Sequence, residues 1–250
     1  MSGHSRWSSI KHKKAAKDAK RGKLFNKLIK EITVAARLGG ADLNANPRLR
    51  AAVVSARAAS MPADTIERAA KKGAGELEGV EYVDISYEGY GPGGVAIMLE
   101  CLTDNRNRTV SEIRSLFSKN SGHIGEAGCV SWIFERMGQI RTGSAAAELE
   151  AAVLEAAVNA GASDVVAEDG CFVVSTAPES LEPVRTALAA AGIAVEAAEI
   201  VLQPKTIVAL QGSDAAQALR LLEVLEDHDD VQRVSANFEI DDEELKRLSA

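Results

Sequence analysis

The stretch GQIRTGSAAAELEAAVLEAAVNAGASDVVAEDGCFVVSTAPESLEPVRTALAAAGIAVEAAEIVL, residues 138–202, decides the fold. It alternates between two periods. GQIRT, DVVAE, CFVVST and IAVEAAEIVL carry the short β-branched runs of strands, whereas AAAELEAAVLEAAVNA and PESLEPVRTALAAA carry helical spacing and stop at Gly161 and Gly192. Asp169-Gly170 is a hairpin turn between the second and third strands. The order is therefore βαββαβ, in which each helix carries the chain across the sheet.

Working outward, the same alternation continues on both sides. Upstream, EYVDISYEG, the turn GYGPGG and VAIMLECLT form a hairpin, and DNRNRTVSEIRSLFSKN places Val110, Ile113, Leu116 and Phe117 on one helical face. GCVSWIFE reads as a further strand. Downstream, TIVALQ, DAAQALRLLEVLED and DVQRVSANFEI supply strand, helix and strand. These pieces complete one another, so a discontinuous α/β domain, residues 80–136 plus 204–240, accepts the βαββαβ unit, residues 137–203, as an insertion. The closing DDEELKRLSA reads as a fraying acidic tail.

Residues 1–75 are helical instead. Leu24, Leu28, Ile32 and Ala35, flanked by Phe25, Ile29 and Ala36, oppose Lys23, Lys27, Lys30 and Arg37, which is an amphipathic helix ended by Gly39 and Gly40. Asn46 can cap a second helix with Pro47 in its first turn, and Pro62 opens a third that ends at Gly73. Helices this short need one another's apolar faces. The fold class is thus α+β: an N-terminal three-helix domain followed by two ferredoxin-like α/β domains, the middle one discontinuous.

Charge divides the chain as sharply as periodicity does. Residues 1–75 hold 17 Lys and Arg against 5 Asp and Glu, a net +12, which leaves 12 against 31 and a net −19 on residues 76–250. A basic module on an acidic chain seeks polyanions. Lys11, Lys13, Lys14, Lys17, Lys20, Arg21 and Lys23 can neutralise phosphates and release counterions, and Lys13, Lys17 and Arg21 recur at helical spacing. Trp7 can stack on a base or plug a crevice between domains. With Thr103 or Asp104 as cap, Arg106 and Arg108 fall in a helical first turn, where the macrodipole disfavours cations. Either a phosphate sits there or a nearby carboxylate pairs with them.

Other chemistry is absent from the pattern. GYGPGG lacks the ending of a phosphate loop and reads as a hairpin turn. His4, His12, His123 and His228 have no metal-ligand spacing, so neither a metal nor a cofactor is expected, nor a catalytic centre. Cys101, Cys129 and Cys171 are odd in number and widely spaced, which fits a reducing cytoplasm. The longest apolar run, Val95 to Leu99, is far shorter than the roughly 20 residues of a membrane span. The acidic strings EDHDD and DDEEL read as a solvated surface that keeps nucleic acid away from all but the basic module.

The strings GHSRWSSIKHKKAAKDAKRGKLFNKLIKEITVAARLGGADLNANPRLRAAV, MPADTIERAAKKG, YEGYGPGGVAIMLECLTDNRNRTVSEIR and DVQRVSANF closely resemble the YebC/PmpR family of probable transcriptional regulators. Mitochondrial relatives of that family include a translational activator of cytochrome oxidase synthesis. The resemblance runs end to end. It implies three domains and a non-enzymatic nucleic-acid-binding regulator without a small-molecule substrate. It also implies a partner that is either promoter DNA, for a DNA-binding transcriptional regulator, or ribosomal RNA, for a ribosome-associated factor that relieves stalled elongation.

Overall fold

The computed structural model describes residues 17–168 and 170–249, so Lys11, Lys13, Lys14, Trp7, His4, His12 and Asp169 of the turn lie outside the described residues. The chain divides into two compact units, one of which is Phe134–Lys205 and the other the segments on either side of it.

The inserted unit contains β4 (Phe134–Thr142), α5 (Ala147–Asn159), β5 (Ala162–Glu168), β6 (Cys171–Thr176), α6 (Leu181–Ala190) and β7 (Val195–Pro204). Its sheet has the order β5-β6-β4-β7 with every pair antiparallel. This is the ferredoxin-like layout. Ile140, Phe172 and Val174 from the strands meet Val153, Ala157, Val184 and Leu188 from the helices in one core. The helical run is rich in alanine because only one stripe of it, centred on Val153 and Ala157, faces the sheet.

The other unit begins with three helices, α1 (Lys17–Gly39), α2 (Pro47–Ala58) and α3 (Ala63–Gly73). Ile32, Ala35 and Ala36 of α1 pack with Leu49, Val53 and Ala56 of α2 and Ile66 and Ala69 of α3, while Leu24 stays exposed. Buried Asn46 joins two of these helices. Its carboxamide oxygen accepts the Leu49 N–H at 3.0 Å, and its amide donates to Ala35 O and Gly40 O, both at 2.8 Å. One residue thus caps α2 and satisfies carbonyls at the end of α1. A Cβ at Gly73 would lie 2.2 Å from Thr33 O, which is why α3 can approach α1 so closely.

The same unit then forms β1 (Val83–Tyr90), β2 (Ala96–Thr103), α4 (Arg106–Lys119) and β3 (His123–Ile124) before the insertion. After it come β8 (Val208–Ala209), α7 (Gly212–Glu226), β9 (Val231–Ala236), β10 (Phe238–Glu239) and α8 (Asp242–Ser249). The main sheet runs β3-β1-β2-β9, and β8 pairs with β10 in parallel beside it. Its spatial plan matches the inserted unit, with one strand re-ordered. The strand between the two ends of the β2-α4-β3 crossover is β1, which precedes the crossover; in the inserted unit the equivalent β6 follows it. Ile97, Leu99, Ile113, Phe117, Leu221, Leu222 and Val234 fill the core.

Five local expectations are corrected. GCVSWIFE is not one strand: Ser131–Ile133 is a tight 3₁₀ turn, and β4 starts at Phe134. TIVALQ is a strand only at Val208–Ala209, and DVQRVSANFEI breaks at Asn237, whose side-chain oxygen is spent on the Ala96 N–H at 2.7 Å. The cap of α4 is Asn105, not Thr103 or Asp104. Finally, Asp242–Ser249 of the acidic tail is a helix. Asp241 accepts the Glu244 N–H at 2.8 Å, acidic residues sit in the first turn where the macrodipole favours them, and Leu245 is buried in the core.

Candidate nucleic-acid interface

Of the basic residues singled out in the sequence, Lys17 and Lys20 lie on α1. Arg21 is exposed, its guanidinium 5.3 Å above the Phe25 ring and 3.4 Å from Ser60 O. The lysines that follow turn inward to the rest of the unit. Lys23 donates to Asp227 O at 3.0 Å, Lys27 to Glu226 O at 2.6 Å and Lys30 to Asp229 O at 3.0 Å. Their spacing puts all three on one stripe, and that stripe lies along the carboxyl end of α7. The last carbonyls of a helix have no partner within it and carry a partial negative charge, so Lys23 and Lys27 answer both needs, while Lys30 reaches the turn just beyond.

Asp230, immediately beyond, is the hub of this seam. Only 2% exposed, it accepts from Lys30 Nζ at 2.6 Å through Oδ1, and from Arg108 Nη2 at 2.8 Å and Thr109 Oγ1 at 2.7 Å through Oδ2. Burial alone would push its carboxyl up, but hydrogen bonds from Lys30, Arg108 and Thr109 and the charge of Lys30 hold it far below the usual carboxylate range. Arg108 also donates to Asp104 at 2.8 Å, and its own pKa is raised by the hydrogen bonds it makes to Asp230 and Asp104. Of the two readings of Arg108, the geometry gives the ion pair. Arg106 differs: it is exposed, and among the described residues nothing pairs its guanidinium.

A cleft of about 490 Å³ opens over this seam. Lys23, Lys30 and Arg108 line it together with five carboxylates, Tyr82 and His228, so it is net negative and does not draw in a phosphate. Glu112, His228 and Asp230 bring ligand atoms within 4.8 Å of one another. A divalent cation there would have to displace the two cations already on Asp230, so the set does not fit a metal. Burial pushes the Cys101 thiol up to about 12 and raises that of Cys129, which leaves neither poised as a nucleophilic thiolate.

Asp230 escaped the sequence reading, which placed it in a solvated acidic surface. Its ion-pair partners lie 122 and 200 residues away, and nothing in EDHDD itself marks one aspartate as buried.

A basic helical module fastened to an α/β sheet that carries a second α/β unit is an architecture two family descriptions cover. The TACO1/YebC protein N-terminal domain matches residues 5–76, and the TACO1/YebC second and third domain matches residues 82–238. The chain belongs to the TACO1/YebC family. A probable transcriptional regulatory protein of Geobacter sulfurreducens is 58% identical over 99% of this chain and 100% of its own length. One of Syntrophobacter fumaroxidans is 55% identical over the whole of both chains. Among solved structures, a conserved hypothetical protein of Aquifex aeolicus is 50% identical with a TM-score of 0.83, over 93% of this chain and 96% of that one.

Proposed function

We propose that the protein is a non-enzymatic, cytoplasmic regulator that binds DNA through its basic N-terminal module. One observation carries this reading: a net +12 over residues 1–75 on a chain that is otherwise net −19. The proposed phosphate contacts are Lys11, Lys13, Lys14, Lys17, Lys20, Arg21, Lys23, Arg106 and Arg108. Among these, Lys23 and Arg108 already have internal partners and contribute least. Relatives named as probable transcriptional regulatory proteins support a regulatory role. Among the described residues, no helix is long and apolar enough to cross a membrane.

A second reading, a ribosome-associated translation factor that contacts ribosomal RNA, is favoured by a specific feature. The stripe Lys23, Lys27 and Lys30 is turned against α7, so that face of α1 is not free to read base edges in a major groove. Contacts that remain are to backbone phosphate, which duplex DNA and structured RNA both offer. Filter binding to a duplex across a salt series, set against co-sedimentation with ribosomes from DNase-treated lysate, separates the two. Reversing the charge of Lys13, Lys17 and Arg21 lowers affinity for the true target and flattens its salt slope. Undiminished affinity for both targets after removal of residues 1–22 would overturn the proposal.

A further inference from the structure

We propose that the lysine face of α1 is a polyanion-binding surface that the protein covers with its own α/β sheet domain, and that binding transfers Lys23, Lys27 and Lys30 from oxygens of that domain to phosphates. This rests on the nucleic-acid reading above and adds its regulation: part of the site is closed in the free protein. Both sides of the joint belong to one compact unit. The ammonium groups come from the helical module, and the oxygens they meet are the carbonyls of Glu226, Asp227 and Asp229 and the carboxylate of Asp230. The wall that faces them carries five carboxylates against Arg108 and His228. On the module side, Glu31 is bound at 2.7 Å by Arg48, which also reaches Asp84 at 3.2 Å. A row of oxygens with negative charge behind it is what a phosphate backbone offers. The sheet domain stands in for one.

Three features let the joint open without unfolding either side. First, the cores are separate: among the described residues, the module core around Ile32 and Leu49 and the sheet core around Ile97 and Phe117 share no member. Val34, the next residue of the stripe, is buried and belongs to neither core, so it is the apolar contribution this face makes. Second, residues 74–82, between α3 and β1, carry no helix or strand and include Gly75 and Gly79. Arg37 grips this connection, at 3.2 Å from Glu81 and 2.5 Å from Tyr82 O, so its contacts travel with a pivot while the α7 side parts. Third, Asp230 is not abandoned. Arg108 at 2.8 Å and Thr109 at 2.7 Å belong to its own side and remain, whereas a buried carboxylate stripped of every partner would resist opening.

Relative strength decides that phosphates can displace the cover. In the closed form Lys23 and Lys27 hold carbonyls with only the partial charge of a helix end, and the carbonyl bonds of Lys23 and Lys30 are open to water. A phosphate carries a full charge and releases counterions when it is neutralised. The internal oxygens compete through proximity, because they are tethered to the same chain. Closure therefore lowers affinity by the fraction of molecules that are open, and Lys23, which adds little while covered, joins Lys27 and Lys30 once the joint parts.

Spin labels at Ser55→Cys on α2 and Ser118→Cys on α4, both exposed, report the joint in the full-length protein, with Cys129→Ser to leave only buried native thiols. A short DNA duplex or an RNA hairpin, whichever binds, is expected to lengthen the distance between the labels. Asp230→Asn loosens the cover and is expected to bind the same probe about tenfold more tightly than the wild type. Glu239→Gln makes the same change of charge at the start of α7, where Leu210 donates to Glu239 O, and is expected to gain far less. Melting curves confirm that both variants are folded, and the label measurement leaves residue 230 native. If a probe saturates the protein with the distance unchanged, or Asp230→Asn gains no more than Glu239→Gln, the covered face is refuted while nucleic-acid binding stands. If neither nucleic acid binds, the reading itself falls, and the proposal with it.

Discussion

Two buried carboxylates organise the larger unit by opposite means. Asp230 is satisfied mainly by side chains, two of them cations, and one of those comes from the helical module. Glu88 is satisfied by backbone amides of a single loop. The first ties together elements that are separate in sequence, at the cost of burying charge. The second shapes a loop whose donors lie within four residues of one another and uses no opposite charge. A charge-made joint responds to its ionic surroundings, whereas an amide-made one responds to the shape of the backbone.

The largest effect that would break this comparison is at the joint. Asp230→Ala leaves Lys30 and Arg108 facing each other across an emptied site, and a loss of about 3–5 kcal/mol is expected in urea unfolding. Glu88→Gln is expected to cost less, about 1–3 kcal/mol, because one carboxamide oxygen still accepts while the amide group faces N–H donors. Its signature is local: faster proteolysis within residues 125–131, with the helical module still docked.

The smallest effect sharpens the comparison through pH. Asp230 has a folded pKa below its unfolded value of about 3.9, so its contribution is fully present above that value and is lost as pH falls towards the folded one. Between pH 5 and 3 the wild type is expected to lose about 1 kcal/mol more than Asp230→Asn, measured by chemical unfolding at each pH. Equal losses would mean that the carboxylate is not held by the cations as described.

How far the sequence could carry this depends on the range of each interaction. The βαββαβ order, the hairpin and the three helices were legible because their signals are local: period, turn residues, and caps such as Asn46. The Ser131–Ile133 turn was not, since CVSWIFE alternates like a strand and only the amides gathered by Glu88, some 42 residues earlier, bend it. The C-terminal helix was missed because its burial rests chiefly on Leu245 and Leu248 meeting a core assembled elsewhere. For the seam, the lysine stripe of α1 was read correctly as one face. What faces it is a helix end about 200 residues downstream, which no local pattern reports.

The inserted unit also has a consequence in time. As the chain leaves the ribosome, Phe134–Lys205 is complete before α7 and β9 have been made, so it can fold while the core around Ile97, Leu99 and Phe117 still lacks Leu221, Leu222 and Val234. Over the same interval Lys30 waits for Asp230, and Lys23 and Lys27 wait for the carbonyls of Asp227 and Glu226. Lys30, made early, is therefore among the last residues to find its intramolecular counter-charge, and until then the helical module and the α/β sheet beside it lack the seam that joins them.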